Sequence, residues 1–469
     1  MIRITVSSSV PRTAVLVRAT PTHQGAARFV RRGTTETLHI RSPRTKSRVQ
    51  WIRDLRSLVR TARTHHITSL AISWNDIVGK RETETERSAQ QCAEAIIMAA
   101  YEFTAYRSPS DEEAPPVRTV TILCDSAAVR RAIRSGIRHG TIVATWTNHA
   151  RDLANTPGGD LTPASFARTV RSLARTVSGV RVRVLTPKQI RAKKMNGILA
   201  VGQGSNATPR VIIVEYAGAN TAPTVIVGKG VTFDSGGLDV KPYPHATEMM
   251  MDMSGGAVAI CSVLALAQLR ARVHAVAVVP AVENMPSGSS MRPGDILRMM
   301  SGTTVEIRNT DAEGRLILAD ALTYAQRTYA PAQLLDIATL TGASLVALGE
   351  EAHAVMTREE HNILRSAICA AGEESGDRVW PLPLWDEYDA YLKSTRADLA
   401  NVSSGSRDRY AGTITAGAFL KRFVDSSVPW AHIDMAPRMT AGSDEQLSPG
   451  SSGDGVRLLT TVLLSRRRH

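Results

Sequence analysis

The sequence predicts an α/β fold in two parts. A small N-terminal α/β domain spans residues 1–149; a larger C-terminal α/β domain spans 150–469, with a central mixed, mostly parallel sheet flanked by helices. Three observations carry this expectation. Short β-like apolar runs alternate with longer stretches of helical periodicity, the pattern of sheets covered by helices. The strand candidates of the second half are almost continuously apolar: "RVIIVEY" (210–216), "TVIVGKG" (224–230), "HAVAVVPAV" (274–282) and "AQLLDIATL" (332–340). Such runs belong to strands buried on both faces. Finally, "TPGGDLTP" (156–163) stops a helical stretch at the point where the composition shifts.

Along the chain, "MIRITV" (1–6) and "TAVLVRAT" (13–20) read as strands, the first through the alternation of Ile2, Ile4 and Val6. "SRVQWIRDLRSLVRTA" (47–62) is helical, "TSLAISW" (68–74) a strand, and "ERSAQQCAEAIIMAAYEFTAY" (86–106) helical again. The polar, proline-rich Ser108–Pro116 reads as a surface loop, "RTVTILCD" (118–125) as a strand, and "GTIVATWTNHARDLAN" (140–155) as the helix closing this half. In the second half, "GGAVAICSVLALAQL" (255–269) and "LILADALTYAQ" (316–326) are the helices between the buried strands. No internal repeat or long low-complexity tract is present.

Bulk properties narrow the class. With 469 residues, 43% apolar and 21% charged, the chain has the composition of a soluble globular protein with a large core. No uninterrupted apolar run approaches the roughly 18 residues of a membrane span, so no membrane partner is expected. Cys92, Cys124, Cys261 and Cys369 are far apart and form no CxxC pair, which fits a reducing compartment and excludes a thiolate zinc site. The formal charge is +14, and residues 1–65 hold 14 Lys and Arg against 2 Asp and Glu. A basic face of this kind attracts nucleic acid electrostatically, although no zinc-finger, homeodomain or RNP-type motif accompanies it. The first forty residues are also acid-poor and rich in Arg, Ser and Thr, as organellar transit peptides are. The strand pattern there favours a folded domain instead.

Two segments carry unusual chemistry. "NTDAEGRL" (309–316) sets Asp311, Glu313 and Arg315 at alternate positions beside apolar residues. By itself this fits a solvent-facing strand or turn, with Gly314 turning and Asn309–Asp311 capping the following helix. "VGKGVTFDSGGLDVKPYPHATEMMMDMSGGA" (227–257) begins at the end of a strand candidate and carries Lys229, Asp234, Lys241 and Asp252 among glycines. "GKG" lacks the rest of a phosphate loop, and Asp239 reads as ordinary loop polarity. Sites in open α/β sheets form beyond the carboxyl ends of strands, where this loop falls. Asp234, Asp252, Asp311 and Glu313 together offer four carboxylates, and Lys229 a nitrogen. A carboxylate set favours hard divalent ions, Mg²⁺ or Mn²⁺, with Zn²⁺ also accommodated. The twelve histidines are scattered and no HExxH occurs.

"VGKGVTFDSGG", "DMSGGA", "ENMPSG" and "NTDAEGRLILADAL", with "RDLANTPGGDLTP", "ATLTGA", "GTITAGAFLKRFV" and "WAHIDMA", resemble the leucyl aminopeptidase (cytosol aminopeptidase) family of dinuclear metallopeptidases. The resemblance covers nearly everything from Ala150 onward; before it, "AAYEFTAY" is the main likeness. It implies a hydrolase that removes leucine-like N-terminal residues from peptides. It implies two divalent ions per subunit, Mn²⁺ or Zn²⁺, with Mg²⁺ or Co²⁺ also accepted at an exchangeable site. Asp234 and Glu313 would bridge both ions, Lys229 and Asp252 would complete the tighter site, and Asp311 the exchangeable one. Lys241 and Arg315 would be catalytic: Lys241 would polarise the scissile carbonyl, and Arg315 would hold a bicarbonate ion acting as base. Met249, Thr339, Leu340, Gly342, Ala436 and Met439 match the substrate pocket. A cytoplasmic homohexamer is implied, with the N-terminal domain in an oligomerisation or accessory role.

The chain departs from the family at Tyr243, Pro244 and His245, where small residues or Asn are usual. It departs again at Pro437 and Arg438, where a glycine and a small or apolar residue are usual. Both departures bear on substrate preference. A Cys-Gly or Pro-preferring peptidase is one rival reading. The other is a protein whose basic N-terminal domain binds nucleic acid.

Overall fold

The computed structural model describes residues 2–20, 28–32, 35–41, 47–78, 84–108, 114–403, 405 and 410–465. Two compact units form: Met1–Asn148 with Ala441–Gly450, and His149–Thr440 with Ser451–His469.

The first unit is built on a six-stranded sheet: β1 (Arg3–Ser7), β2 (Val15–Thr20), β3 (Arg28–Arg32), β4 (Thr35–Arg41), β5 (Ser69–Ser73) and β6 (Thr119–Leu123). The order is β1-β6-β5-β2-β4-β3, with only the β3–β4 pair antiparallel. The two leading stretches read as strands are thus β1 and β2. The helix Arg48–Thr64 starts at Ser47, whose hydroxyl accepts from the Gln50 amide, and buries Trp51, Ile52, Leu55, Leu58 and Val59 along one face. The next helix ends at Ala99, short of the expected Tyr106. The closing helix begins at Ala127, well before the expected Gly140. Gly136 and Gly140 lie inside it because a Cβ there would meet the Glu86 and Gln90 carbonyl oxygens at 2.0 and 2.1 Å. Two glycines one turn apart let this helix touch the backbone of the helix Thr85–Ala99. Of the expected Ser108–Pro116 loop, residues 109–113 lie outside the described residues.

Among the described residues, five of the 14 Lys and Arg before residue 65 are engaged in ion pairs within this unit. Arg48 pairs with Glu84, Arg53 with Asp444 and Glu445, the buried Arg56 with Glu445, and Arg60 and Arg63 with Glu102.

The second unit contains β7 (Val180–Leu185), β8 (Arg210–Ala217), β9 (Thr224–Gly228), β10 (Gly230–Asp234), β11 (His274–Asn284), β12 (Ile296–Arg298), β13 (Thr304–Glu306), β14 (Gln333–Ala338), β15 (His353–Thr357), β16 (Val379–Pro381), β17 (Leu399–Ala400) and β18 (Trp430–Asp434). Nine of them form one sheet in the order β16-β15-β18-β14-β9-β11-β8-β7, with β10 beside β11. Strands β18, β14, β9, β11 and β10 run parallel; β15, β8 and β7 introduce the antiparallel pairs. A small three-stranded sheet, β12-β13-β17, completes the unit.

Both faces of the large sheet are covered. Val225 and Val227 of β9 and Val276 and Val278 of β11 join a core with the helices Asn196–Gly202 and Gly314–Tyr329. Side chains alternate along a strand, so the intervening residues face the other layer. There the helix Ser254–Gln268 is apolar and buried all round. It approaches so closely that a Cβ on Gly228 would meet Gly255 O at 2.5 Å, and one on Gly255 would meet Ile337 O at 2.2 Å. The stretch His245–Gln268 is long and apolar enough to cross a membrane, but it is packed inside this unit.

Candidate metal centre and its cavity

The parallel strands end together, and the candidate residues follow their carboxyl ends. Lys229 comes directly after β9, Asp234 and Asn284 are the last residues of β10 and β11, Thr339 follows β14, and Asp434 closes β18. Adjacent parallel strands in register deliver such residues to one edge, which is why ligands bind there.

Lys229 is buried, and its Nζ lies 2.8 Å from Asp252 Oδ2 and 2.8 Å from Glu313 Oε1; it also donates to Thr339 O at 2.9 Å. Lys241 Nζ lies 2.9 Å from Asp234 Oδ2 and 2.5 Å from Asp311 Oδ1. These sequence-distant carboxylates thus share two lysines. Ligand oxygens of Asp234, Asp252 and Glu313 lie within 4.8 Å of one another, all buried. Asp311 stands apart from that trio and joins it through Lys241.

The supports are local. Gly236 and Gly237 have φ of +91° and +68°, a region that favours glycine, and turn the loop after β10 so that Lys241 N donates to Ser235 O. Asp234 Oδ1 accepts from Gly236 N and Asn284 Nδ2, both at 2.9 Å, leaving Oδ2 toward Lys241. Asp252 Oδ1 accepts from the Thr339 hydroxyl at 2.7 Å. Glu313 directly precedes the helix Gly314–Tyr329, so Gly314 opens a helix instead of the expected turn. Its missing side chain makes room: a Cβ would meet Lys229 Cε at 2.7 Å. Asn309 Oδ1 accepts from Asp311 N at 2.7 Å.

Electrostatically the cluster suits cations. Burial raises the pKa of Asp252 and Glu313, and their carboxylate neighbours add to it against Lys229. Asp311 is pushed up to about 7, first by burial and then by Asp234 and Glu313. Burial pulls Lys229 and Lys241 down, but the carboxylates outweigh it and both end above the usual lysine value. Among the described residues, Asp252 Oδ2, Asp311 Oδ1 and Glu313 Oε1 meet only the lysine ammonium groups. Four carboxylates against two ammonium charges form a hard oxygen-donor set in surplus, which fits divalent ions. Arg315 donates to Asn401 O at 2.7 Å; its Nε has no hydrogen-bond partner, and burial lowers its pKa to about 10.

A cavity of about 850 Å³ opens over the cluster. Lys229, Asp234, Lys241, Asp252 and Asp311 line it, as do Met249, Thr339, Leu340, Gly342, Ala436 and Met439. Tyr243, Pro244 and His245 form part of its rim. Glu313 and Arg315 are not in its wall. Pro437 and Arg438 are buried beside it and do not line it.

Sequence reasoning missed several supporting residues. Asp239, read as loop polarity, accepts from Thr310 N at 2.7 Å and ties the first loop to the segment bearing Asp311. Buried Asn401 links Asn309, Arg308 and Arg315. Asp434 Oδ1 accepts from Leu340 N and Ala436 N, each at 3.2 Å, joining two cavity walls. Only Asp434's place at the end of an apolar strand signalled it.

Comparison with known proteins adds four findings. The model of the cytosol aminopeptidase family catalytic domain matches residues 148–460. The probable cytosol aminopeptidase of Roseiflexus castenholzii is 45% identical over 387 residues, covering 81% of this chain and 77% of its own. That of Chlorobaculum tepidum is 41% identical over 409 residues, 85% of this chain and 80% of its own. The solved structure of the bottromycin maturation enzyme BotP in complex with Mn aligns with a TM-score of 0.85 at 30% identity, over 99% of this chain and 100% of that one.

Proposed function

Since the chain belongs to the cytosol aminopeptidase family and is a metal-dependent aminopeptidase, we propose that it removes leucine-like N-terminal residues from peptides at a centre of two divalent ions. The observation that carries this reading is the convergence of buried Asp234, Asp252 and Glu313 around Lys229, beneath a cavity walled by Met249, Leu340, Ala436 and Met439.

In this reading Asp234 and Glu313 serve both ions. Lys229 and Asp252 complete the tighter site, and Asp311 the more exchangeable one. When bound, the ions supply Lewis acidity that activates water and anchors the substrate's free amine. Lys229 ligates only as the neutral amine: neutralising its carboxylate neighbours leaves burial to favour that form. Lys241, at the cavity wall, places positive charge where the peptide carbonyl gains negative charge. Arg315 would hold a bicarbonate ion, which would supply a base when bound; its buried Nε, without a hydrogen-bond partner among the described residues, supports an anion role. The apolar wall receives the first side chain. A solved structural relative is described with Mn, and Mn²⁺ or Zn²⁺ is proposed here. We also propose a cytoplasmic homohexamer, with the N-terminal unit in an oligomerisation or accessory role; mass measurement in solution tests the assembly.

Hydrolysis of leucyl and alanyl p-nitroanilides, before and after chelation and with Mn²⁺ or Zn²⁺ restored, tests the function. Chelator-sensitive hydrolysis preferring the leucyl substrate is expected. Undiminished turnover after full metal removal would contradict it.

A further inference from the structure

The turn Ala436–Arg438 and the residue after it form one wall of the cavity, with Ala436 and Met439 facing the space. Between them Arg438 is 5% exposed and turned into the protein. Its Nε donates to Asp454 Oδ2 at 2.6 Å and its Nη1 to Glu350 O at 2.8 Å. Asp454 Oδ1 lies 3.3 Å from Arg457 Nη2, and Arg457 pairs with Asp377. Asp377 in turn accepts from Gly455 N and Leu458 N. Two guanidiniums and two carboxylates, all nearly solvent-free, thus form an ion-paired chain behind the wall. The Ser452 hydroxyl donates to Arg438 O at 2.5 Å, and Ser452 N to Met439 O at 3.1 Å. Asp434 holds Ala436 N from the other side.

A buried ionic chain is weak evidence for stability, because desolvation offsets much of the attraction. What it does supply is a fixed geometry, since a planar guanidinium aimed at two acceptors tolerates little rotation. We infer that Arg438 is a specificity-determining positioning residue: clamped by Asp454, Glu350 and Ser452, it fixes the spacing of Ala436 and Met439 and so the fit of the cavity to the substrate's first side chain. It does not line the cavity. The inference rests on the proposed role of that wall.

The test compares kcat/KM for leucyl and alanyl p-nitroanilides in the metal-loaded, full-length protein. Three variants are used: Arg438→Met with Asp454→Asn, which removes both charges together; Arg438→Lys; and Ser452→Ala. The double variant is expected to lower the leucyl-to-alanyl ratio about 10-fold. The change should fall on KM for the leucyl substrate, with kcat, alanyl turnover and metal content within about twofold. Arg438→Lys and Ser452→Ala are expected to shift the ratio the same way by smaller factors, and they keep the test open if the double variant does not fold. Unchanged ratios in the variants that fold would overturn the clamp. So would parallel losses on both substrates, which mark general damage. A wild-type protein that does not prefer leucyl over alanyl would remove the pocket reading itself, and the clamp with it.

Discussion

At the scale of single residues, the account turns on charge. In the proposed centre, Glu313→Gln would replace a buried bridging anion with a neutral amide, a poorer ligand. Turnover is expected to fall at least ~100-fold while the fold is retained, because the proposed mechanism draws its water from both ions. Near-normal turnover by metal-loaded variant would remove the assigned role. Lys241→Ala separates carbonyl stabilisation from metal holding: the loss of one such donor is worth about 3 kcal/mol in kcat with metal content preserved. A drop in metal stoichiometry would mean that Lys241, 2.9 Å from Asp234, serves the metal site instead. The acids and lysines were legible in the sequence because they sit in two short segments, each dense in glycine and charge beside apolar runs. Asn401 and Asp434 were not, since a lone polar residue near an apolar strand looks the same whether it holds a site or satisfies the core.

At the scale of elements, glycines decide how close the layers come. Gly314→Ala puts a methyl at 2.7 Å from Lys229 Cε, and the flexible lysine end must yield before the helix does. The expected outcome is at least a ~10-fold loss of activity and weaker metal retention, with little change in melting temperature. A large melting shift with normal metal content would place the strain in the helix instead. On β15, His353 is fully buried with neither ring nitrogen partnered. Burial drives its pKa down to about 3, opposed by Asp454 and reinforced by Arg438 and Arg457. The folded chain therefore refuses a proton that the unfolded chain takes up below about 6.5. Its contribution is complete above that pH and is lost as pH falls toward about 3, amounting to about 2 kcal/mol at pH 5. Urea titrations at pH 8 and pH 5 check this: His353→Gln should lose about that much less stability than wild type between the two, and equal losses would contradict it. The longer apolar strands were readable from their runs, whereas β12, β13, β16 and β17, of two or three residues each, carry no periodicity to read. The closing helix, Ala127–Asn155, was placed only from Gly140 onward; Gly136 and Gly140 inside it are contact points with the helix Thr85–Ala99.

At the scale of the whole molecule, part of the arginine excess that suggested nucleic acid is engaged in ion pairs within the first unit, at Arg48, Arg53, Arg56, Arg60 and Arg63, and weak, strongly salt-dependent binding to duplex DNA is what the account of that charge predicts. The catalytic claim is the sharper one. In the proposed centre Lys229, Asp252, Asp234 and Glu313 would hold one ion, while Asp311 would be the one unshared side chain among the described residues assigned to the other. Fewer unshared ligands mean easier exchange. The most direct measurement follows metal content per chain against leucyl p-nitroanilide hydrolysis during dialysis with chelator. The account predicts that one ion leaves first and takes the activity with it, that the second leaves later, and that Mn²⁺ or Co²⁺ added back restores turnover. Full activity with one ion per chain, or loss of both ions in a single indivisible step, would contradict it.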